Sequence, residues 1–215
     1  MNMDISKEYH PESFEEYVNQ KTAKEFAEGL IESKSPGSPL LLHGPYGVGK
    51  TTFAQIIAKE LLDNPEANYK ELDCSKLGSD VVEKALNKLK PKEMRKISEC
   101  PRYDDFKVVL LDELHNVTSR SQQKLRKIIE EAEERHQIII AVNDLESIEP
   151  AIRSRCVPIQ FQPLSDSHIR KHLKEIIDEE NLEVSTGKAE RIVEQVDGDI
   201  RQALKRLEGI TNVSS

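Results

Sequence analysis

Residues 39–51 read PLLLHGPYGVGKT: an aliphatic run that breaks into three glycines within six residues, then a lysine and a threonine. No other stretch of the chain restricts its fold so sharply. Residues 44–51 satisfy G-x-x-x-x-G-K-[ST] at every fixed position. They follow a candidate strand and open a candidate helix, the only setting in which that spacing carries weight. Glycines let backbone N–H groups converge on phosphate oxygens where Cβ atoms would intrude. The helix that follows turns its positive end toward the anion. Gly44, Pro45, Tyr46, Gly47, Val48, Gly49, Lys50, Thr51 and Thr52 are therefore expected to bind the phosphates of ATP. Lys50 would reach the β- and γ-phosphates, and the Thr51 hydroxyl would ligate Mg²⁺.

The rest of the chain supplies a scaffold of matching type. Short apolar runs at 39–43, 69–74, 107–112, 137–142 and 157–161 read as strands, and three of them are continuously aliphatic, as parallel strands covered on both faces are. Helical patterns at 50–62, 79–89, 119–134 and near 148–154 separate them. Such alternation predicts an α/β fold with a parallel five-stranded sheet. After Pro163 no strand candidate remains, and three helical segments follow near 166–179, 187–196 and 199–210. The expected organisation is a nucleotide-binding domain over 1–163 and a small all-helical lid over 164–215.

A phosphate loop needs a carboxylate on its metal side. KVVLLDELH ends an aliphatic strand on Asp112, with Glu113 beside it. Asp112 is placed to hold Mg²⁺ and Glu113 to polarise the attacking water, so the pair points to hydrolysis. IIIAVND ends the next strand on Asn143, whose amide could orient that water. Arg155, in IRSRC, is placed to reach a neighbouring subunit's γ-phosphate. Arg201, in GDIRQALKRLE, opens the last helix and is placed to meet the nucleotide when a lid closes.

Charge and cysteine usage set the class. The net charge of −8 argues against indiscriminate nucleic-acid binding but leaves room for a local basic face, as in KALNKLKPKEMRK at 84–96. Cys74, Cys100 and Cys156 are scattered, which suits reduced thiols and a cytoplasmic protein. No apolar run approaches the ~18 residues of a membrane span. His168 and His172 stand four apart on a helix, but no third metal ligand accompanies them.

Taken in order, these motifs resemble the small subunit family of the replication factor C clamp loader, within the AAA+ ATPases. EYHPESFEEYVNQ is similar to the family's adenine-wrapping K-Y-R-P…V-G-Q, which implies roles for Tyr9, His10, Pro11 and Val18. S-R-C at 154–156 and G-D-I-R at 198–201 are more specific than the phosphate loop. The resemblance makes Asn143 the first sensor, Arg155 a trans arginine finger and Arg201 the second sensor. It also implies other clamp-loader subunits, a sliding clamp and primer–template DNA as partners. Lys84, Lys88, Lys124, Arg126 and Lys127 become candidates for the DNA-facing surface, and residues 91–106, with Met94 and Tyr103, for a clamp-docking segment. His10 stands where the family has Arg, Asn19 where it has Gly, and His115 where D-E-A-D has Asp. The family's collar domain has no counterpart in these 215 residues. The rival readings are an AAA+ remodelling ATPase and a nucleotide-binding scaffold. The first lacks an aromatic-Gly pore loop, and intact Lys50, Asp112 and Glu113 disfavour the second.

Overall fold

A computed structural model describes residues 4–33, 35–88, 106–133 and 135–213. Residues 91–105 of the expected clamp-docking segment, including Met94 and Tyr103, lie outside the described residues, as does Cys100. The described chain divides into two compact units: residues 1–20, 45–49 and 161–215 in the first, and residues 21–44 and 50–160 in the second.

The second unit carries a five-stranded sheet of β1 (Leu40–His43), β2 (Tyr69–Asp73), β3 (Val108–Asp112), β4 (Gln137–Val142) and β5 (Val157–Gln160). The order is β2-β3-β4-β1-β5, and every pairing is parallel. β4 is buried at all six positions and β3 at its four aliphatic ones, so the continuous apolar runs mark strands covered on both faces. Pro158 lacks an N–H for a ladder and sits in the edge strand β5. Helices of this unit are α2 (Lys21–Ser33), α3 (Lys50–Leu61), α4 (Pro65–Asn68), α5 (Ser79–Asn87), α6 (Ser119–Glu133) and α7 (Pro150–Arg153). Leu86, Leu125 and Ile129 pack with Val109, Leu111, Ile138 and Ile140 in one core cluster.

The first unit holds α1 (Ile5–Glu8), α8 (Asp166–Glu179), α9 (Thr186–Gln195) and α10 (Ile200–Val213). Its core unites Ile169, Leu173 and Ile176 with Ile192, Val193, Ala203 and Leu207, and with Ile5 from the far end of the chain. Gln20 ties the same ends together: its buried amide donates to the Gln162 carbonyl at 2.7 Å and accepts from the Gln162 N–H at 3.3 Å. Asn19 adopts a left-handed φ of 62°. After glycine, asparagine is among the residues that tolerate this conformation best.

Candidate nucleotide-hydrolysis site

The register of the sheet brings the predicted residues of the second unit to one end. β1 and β4 run level, with His43 beside Val142, while Asp112 of β3 lies beside Ala141. The phosphate loop leaves β1, the Asp-Glu pair ends β3, and Asn143 follows β4, all at the carboxyl ends of adjacent parallel strands. Ligands bind at such ends in open α/β sheets.

The side chains there form one connected set. Lys50, only 6% exposed, donates from Nζ to the Gly44 carbonyl at 2.6 Å and to Asn143 Oδ1 at 3.1 Å. With Oδ1 fixed by the ammonium, the Asn143 amide nitrogen faces Glu113, and Nδ2 donates to Glu113 Oε2 at 3.3 Å. His115 Nε2 lies 3.1 Å from that same oxygen. Thr51 Oγ1 donates to Asp112 Oδ2 at 2.7 Å, and the Glu113 N–H donates to Asp112 Oδ1 at 3.0 Å. Burial pushes the Asp112 carboxyl above its usual range, against the pull of the Thr51 hydrogen bond and Lys50. Burial, reinforced by Lys50, holds His43 below the usual imidazole range, so it adds no second cation here.

Glu113 is bent into place by its backbone. It has φ 56° and ψ 38°, a left-handed conformation that costs a non-glycine residue roughly 1–2 kcal/mol. The loop behind it is pinned by Gln122, 2% exposed. Gln122 Nε2 donates to the Val117 carbonyl at 3.0 Å and the Ser147 carbonyl at 3.3 Å, while Oε1 accepts from the Glu149 N–H at 2.9 Å. One buried amide thus ties the loop after β3 to the loop after β4.

The donor set suits Mg²⁺ and a triphosphate. Thr51 and Asp112 offer two hard oxygens within hydrogen-bond distance, and no group of three metal-ligating side chains occurs among the described residues. Two protein oxygens completed by phosphate and water is the usual arrangement for Mg²⁺ beside nucleotide phosphates. The middle of the loop, which groups with the first unit, is built for bare backbone. Gly47 has φ 73°, and a Cβ there would lie 2.0 Å from Asp199 Oδ1; at Gly49, φ 94°, it would lie 2.3 Å from the Tyr17 hydroxyl oxygen. Tyr17, which the sequence did not single out, also approaches the Val48 carbonyl at 3.3 Å.

The remaining predicted residues are placed as follows. Tyr9, half-buried in the first unit, has its hydroxyl 2.8 Å from Glu180 Oε1 and 3.1 Å from Glu179 Oε2, and burial with those carboxylates pushes its phenol up. Pro11 is half-buried, His10 is exposed, and Val18 packs against the helical core. Arg201 is exposed at the start of α10, beside Asp199, which accepts from the Gln202 N–H at 3.0 Å. In the second unit, Arg155 is 37% exposed; its Nε pairs with Glu130 of α6, and its Nη1 donates to the Ala151 carbonyl at 3.2 Å. Of the basic candidates, Lys124 pairs with Glu83 at 3.4 Å, Arg126 with Glu130 at 3.6 Å and Lys127 with Glu131 at 4.0 Å. Lys84 and Lys88 are exposed, with no ion pair among the described residues. The Cys74 thiol is pushed up to about 12, by burial first and then by Asp112, Asp73 and Glu113, and is inert. Cys156 is buried, its Sγ 3.2 Å from the Ile152 carbonyl. His168 bonds Ser165 and His172 faces Glu175, so the two imidazoles serve separate local contacts.

A buried lysine after β1, its neighbouring hydroxyl paired with the carboxylate that ends β3, and a glutamate held by Asn143 after the intervening β4 define a P-loop nucleotide-hydrolysing fold. The chain belongs to the AAA family, the ATPase family associated with various cellular activities, whose pattern it matches over residues 40–164. It is 32% identical over 212 residues to replication factor C subunit 4 of Encephalitozoon cuniculi, covering 99% of this chain and 66% of that protein. It is 34% identical over 205 residues to the replication factor C small subunit of Methanococcus vannielii, covering 93% of this chain and 62% of that one. The chain thus spans slightly under two thirds of the length of these curated relatives. Among solved structures, the Holliday junction branch migration motor RuvB of Thermotoga maritima has the same fold. It superposes with a TM-score of 0.74 at 21% identity, over 95% of this chain and 65% of that one. No helix among the described residues is long and apolar enough to cross a membrane.

Proposed function

We propose that the chain is the ATP-hydrolysing part of a clamp-loader subunit, coupling ATP binding and hydrolysis to placing a sliding clamp on primer–template DNA. The observation that carries the reading is the bridge from Lys50 through Asn143 to Glu113, which links the phosphate-side cation to the candidate base through one amide. The likeness to replication factor C small subunits supports the clamp-loader half of the reading.

Thr51 and Asp112 would hold Mg²⁺ with the nucleotide, which when bound neutralises charge on the phosphate oxygens. Lys50 would bind the β- and γ-phosphates. The loop backbone of Gly44 to Thr51, with Thr52, would hold the phosphate chain, and Tyr9, His10, Pro11 and Val18 the base. Glu113 would take a proton from the attacking water, and Asn143 would orient that water. Arg155 would act on a neighbouring subunit's γ-phosphate. Arg201 would sense the nucleotide from residues 164–215, acting as a lid. DNA would be followed through its phosphates, without base readout, by Lys84 and Lys88 first and by Lys124, Arg126 and Lys127 once their carboxylate partners are exchanged. Such a protein would work in the cytoplasm.

The test compares wild type, Lys50→Ala and Glu113→Gln for ATP binding by calorimetry and for hydrolysis with and without clamp and primed DNA. Lys50→Ala is expected to lose ATP affinity. Glu113→Gln is expected to bind ATP like wild type and to hydrolyse it roughly 10²–10⁴-fold more slowly, since it keeps shape and loses basicity. An undiminished rate in Glu113→Gln would remove Glu113 as the base. Hydrolysis indifferent to both clamp and primed DNA would remove the clamp-loader reading.

A further inference from the structure

His115, one of the departures from the resembled pattern, touches the central carboxylate of this site. His115 lies in the short 3₁₀ turn Leu114–Asn116 that follows Glu113, with Nε2 3.1 Å from Glu113 Oε2. Asn143 Nδ2 donates to that same Oε2 at 3.3 Å. Among the described residues, Glu113 Oε1 has no hydrogen-bond partner. We propose that His115 is a positioning residue for Glu113: its Nε2–H and the Asn143 amide hold one carboxylate oxygen, and Oε1 is left to receive the proton of the attacking water. The proposal rests on the ATPase reading above.

The tautomer follows from the surroundings. If Nε2 carried a lone pair, that lone pair would face a carboxylate oxygen at 3.1 Å, acceptor against acceptor. His115 Nδ1 is buried without a partner, so the opposite tautomer would also bury an unsatisfied N–H. Placing the hydrogen on Nε2 gives Glu113 a donor and leaves only a bare lone pair at Nδ1, the rarer-penalised of the two arrangements. Asn116 Nδ2 lies 3.4 Å from the same Nε2, a longer contact than the carboxylate's, and it donates to the Glu113 carbonyl at 3.1 Å, so Asn116 already has an acceptor and the shorter carboxylate contact sets the tautomer. A carboxylate offers Glu113 no donor at neutral pH, whereas an imidazole Nε2–H does.

The chemical consequence is a division of labour within one carboxylate. As the water oxygen bonds to the γ-phosphorus and the bridging oxygen departs with ADP, the water's proton passes to Oε1. Oε2, held by two donors, keeps the carboxylate from turning away from that line. Positioning of this kind is worth much in rate, because misplacing a reacting group by about 1 Å can cost about 10²-fold.

Two measurements test the proposal. In long-range proton–nitrogen spectra of the imidazoles, with His115 assigned by its loss in His115→Phe, neutral His115 is expected as the Nε2–H tautomer, its signal moving in Glu113→Gln. The Nδ1–H tautomer would overturn the proposal, and this arm needs no turnover. In single-turnover hydrolysis, His115→Phe keeps a ring and loses the donor. It is expected to slow the step by roughly tenfold to a hundredfold with ATP affinity within about twofold of wild type. His115→Gln, which restores an N–H, is expected to recover most of that loss. A wild-type or faster rate in His115→Phe, equal losses in both variants, or a loss confined to ATP affinity would each overturn it. Failure of the underlying reading looks different: wild type itself would then not hydrolyse ATP, or, if only the role of Glu113 fails, Glu113→Gln would hydrolyse it as well as wild type.

Discussion

At the scale of single residues, the site pairs costly groups with specific partners. Asp112 is the clearest case. Burial raises its carboxyl above the usual carboxylate range, so the folded chain still holds a proton at a pH where the unfolded chain has released it. Stability is therefore greatest below the unfolded value and is lost as pH rises through the window up to the folded one. Asp112→Asn removes that dependence and keeps one acceptor for Thr51 or the Glu113 N–H. Without Mg²⁺, it is expected to melt higher than wild type at pH 7, with the gap closing as pH falls below the folded pKa. Thermal unfolding across pH checks this, and a lower melting point at pH 7 would refute it. Lys50, Thr51, Asp112, Glu113 and Asn143 were legible because their spacing along the chain already implies strand ends and a loop. Glu130 and Gln122 were not. In the sequence they are ordinary polar positions of a helix, and only the fold brings Glu130 to Arg155 and Gln122 between two loops.

At the scale of elements, all five strands lie where their apolar runs predicted, and the three helices after Pro163 match their capped segments. The omission was α2. Its buried face consists of Ala23, Ala27 and Leu30, and two alanines make an apolar stripe too faint to stand out from KTAKEFAEGLIES. The one-turn helices α1 and α4 are too short to have a period. The meeting of α6 with the end of α7 bears on Arg155, whose guanidinium is held by Glu130 within its own chain. If it acts on a neighbour, mixing Arg155→Ala with Lys50→Ala chains creates interfaces that pair an intact phosphate loop with an intact arginine. ATPase activity is then expected to return in part, rising and falling with the mixing ratio. No recovery at any ratio, with co-assembly shown by native mass spectrometry, would assign Arg155 to its own chain.

At the scale of the whole molecule, the first unit draws its core from both ends of the chain. Ile5, fully buried, packs with Leu173, Val193 and Leu207, and Ser6 reaches Glu208 at 3.5 Å. Nothing local in MNMDISKEYH announces this, because the partners are distant in sequence and an isolated isoleucine has no periodicity. Ile5→Ala is expected to cost about 2–5 kcal/mol in the stability of that unit. Hydrogen exchange should speed up in α8, α9 and α10, while β3 and β4 stay protected; unchanged exchange in the three helices would place Ile5 outside their cooperative core. The left-handed backbone at Glu113 reaches as far as the total. A strain of roughly 1–2 kcal/mol is a sizeable part of the 5–15 kcal/mol that hold a typical domain together. Glycine would relax that position at once. Selection of this chain for heat resistance alone would therefore reward loss of the glutamate early, and any laboratory evolution of a hardier variant must screen for turnover in the same round.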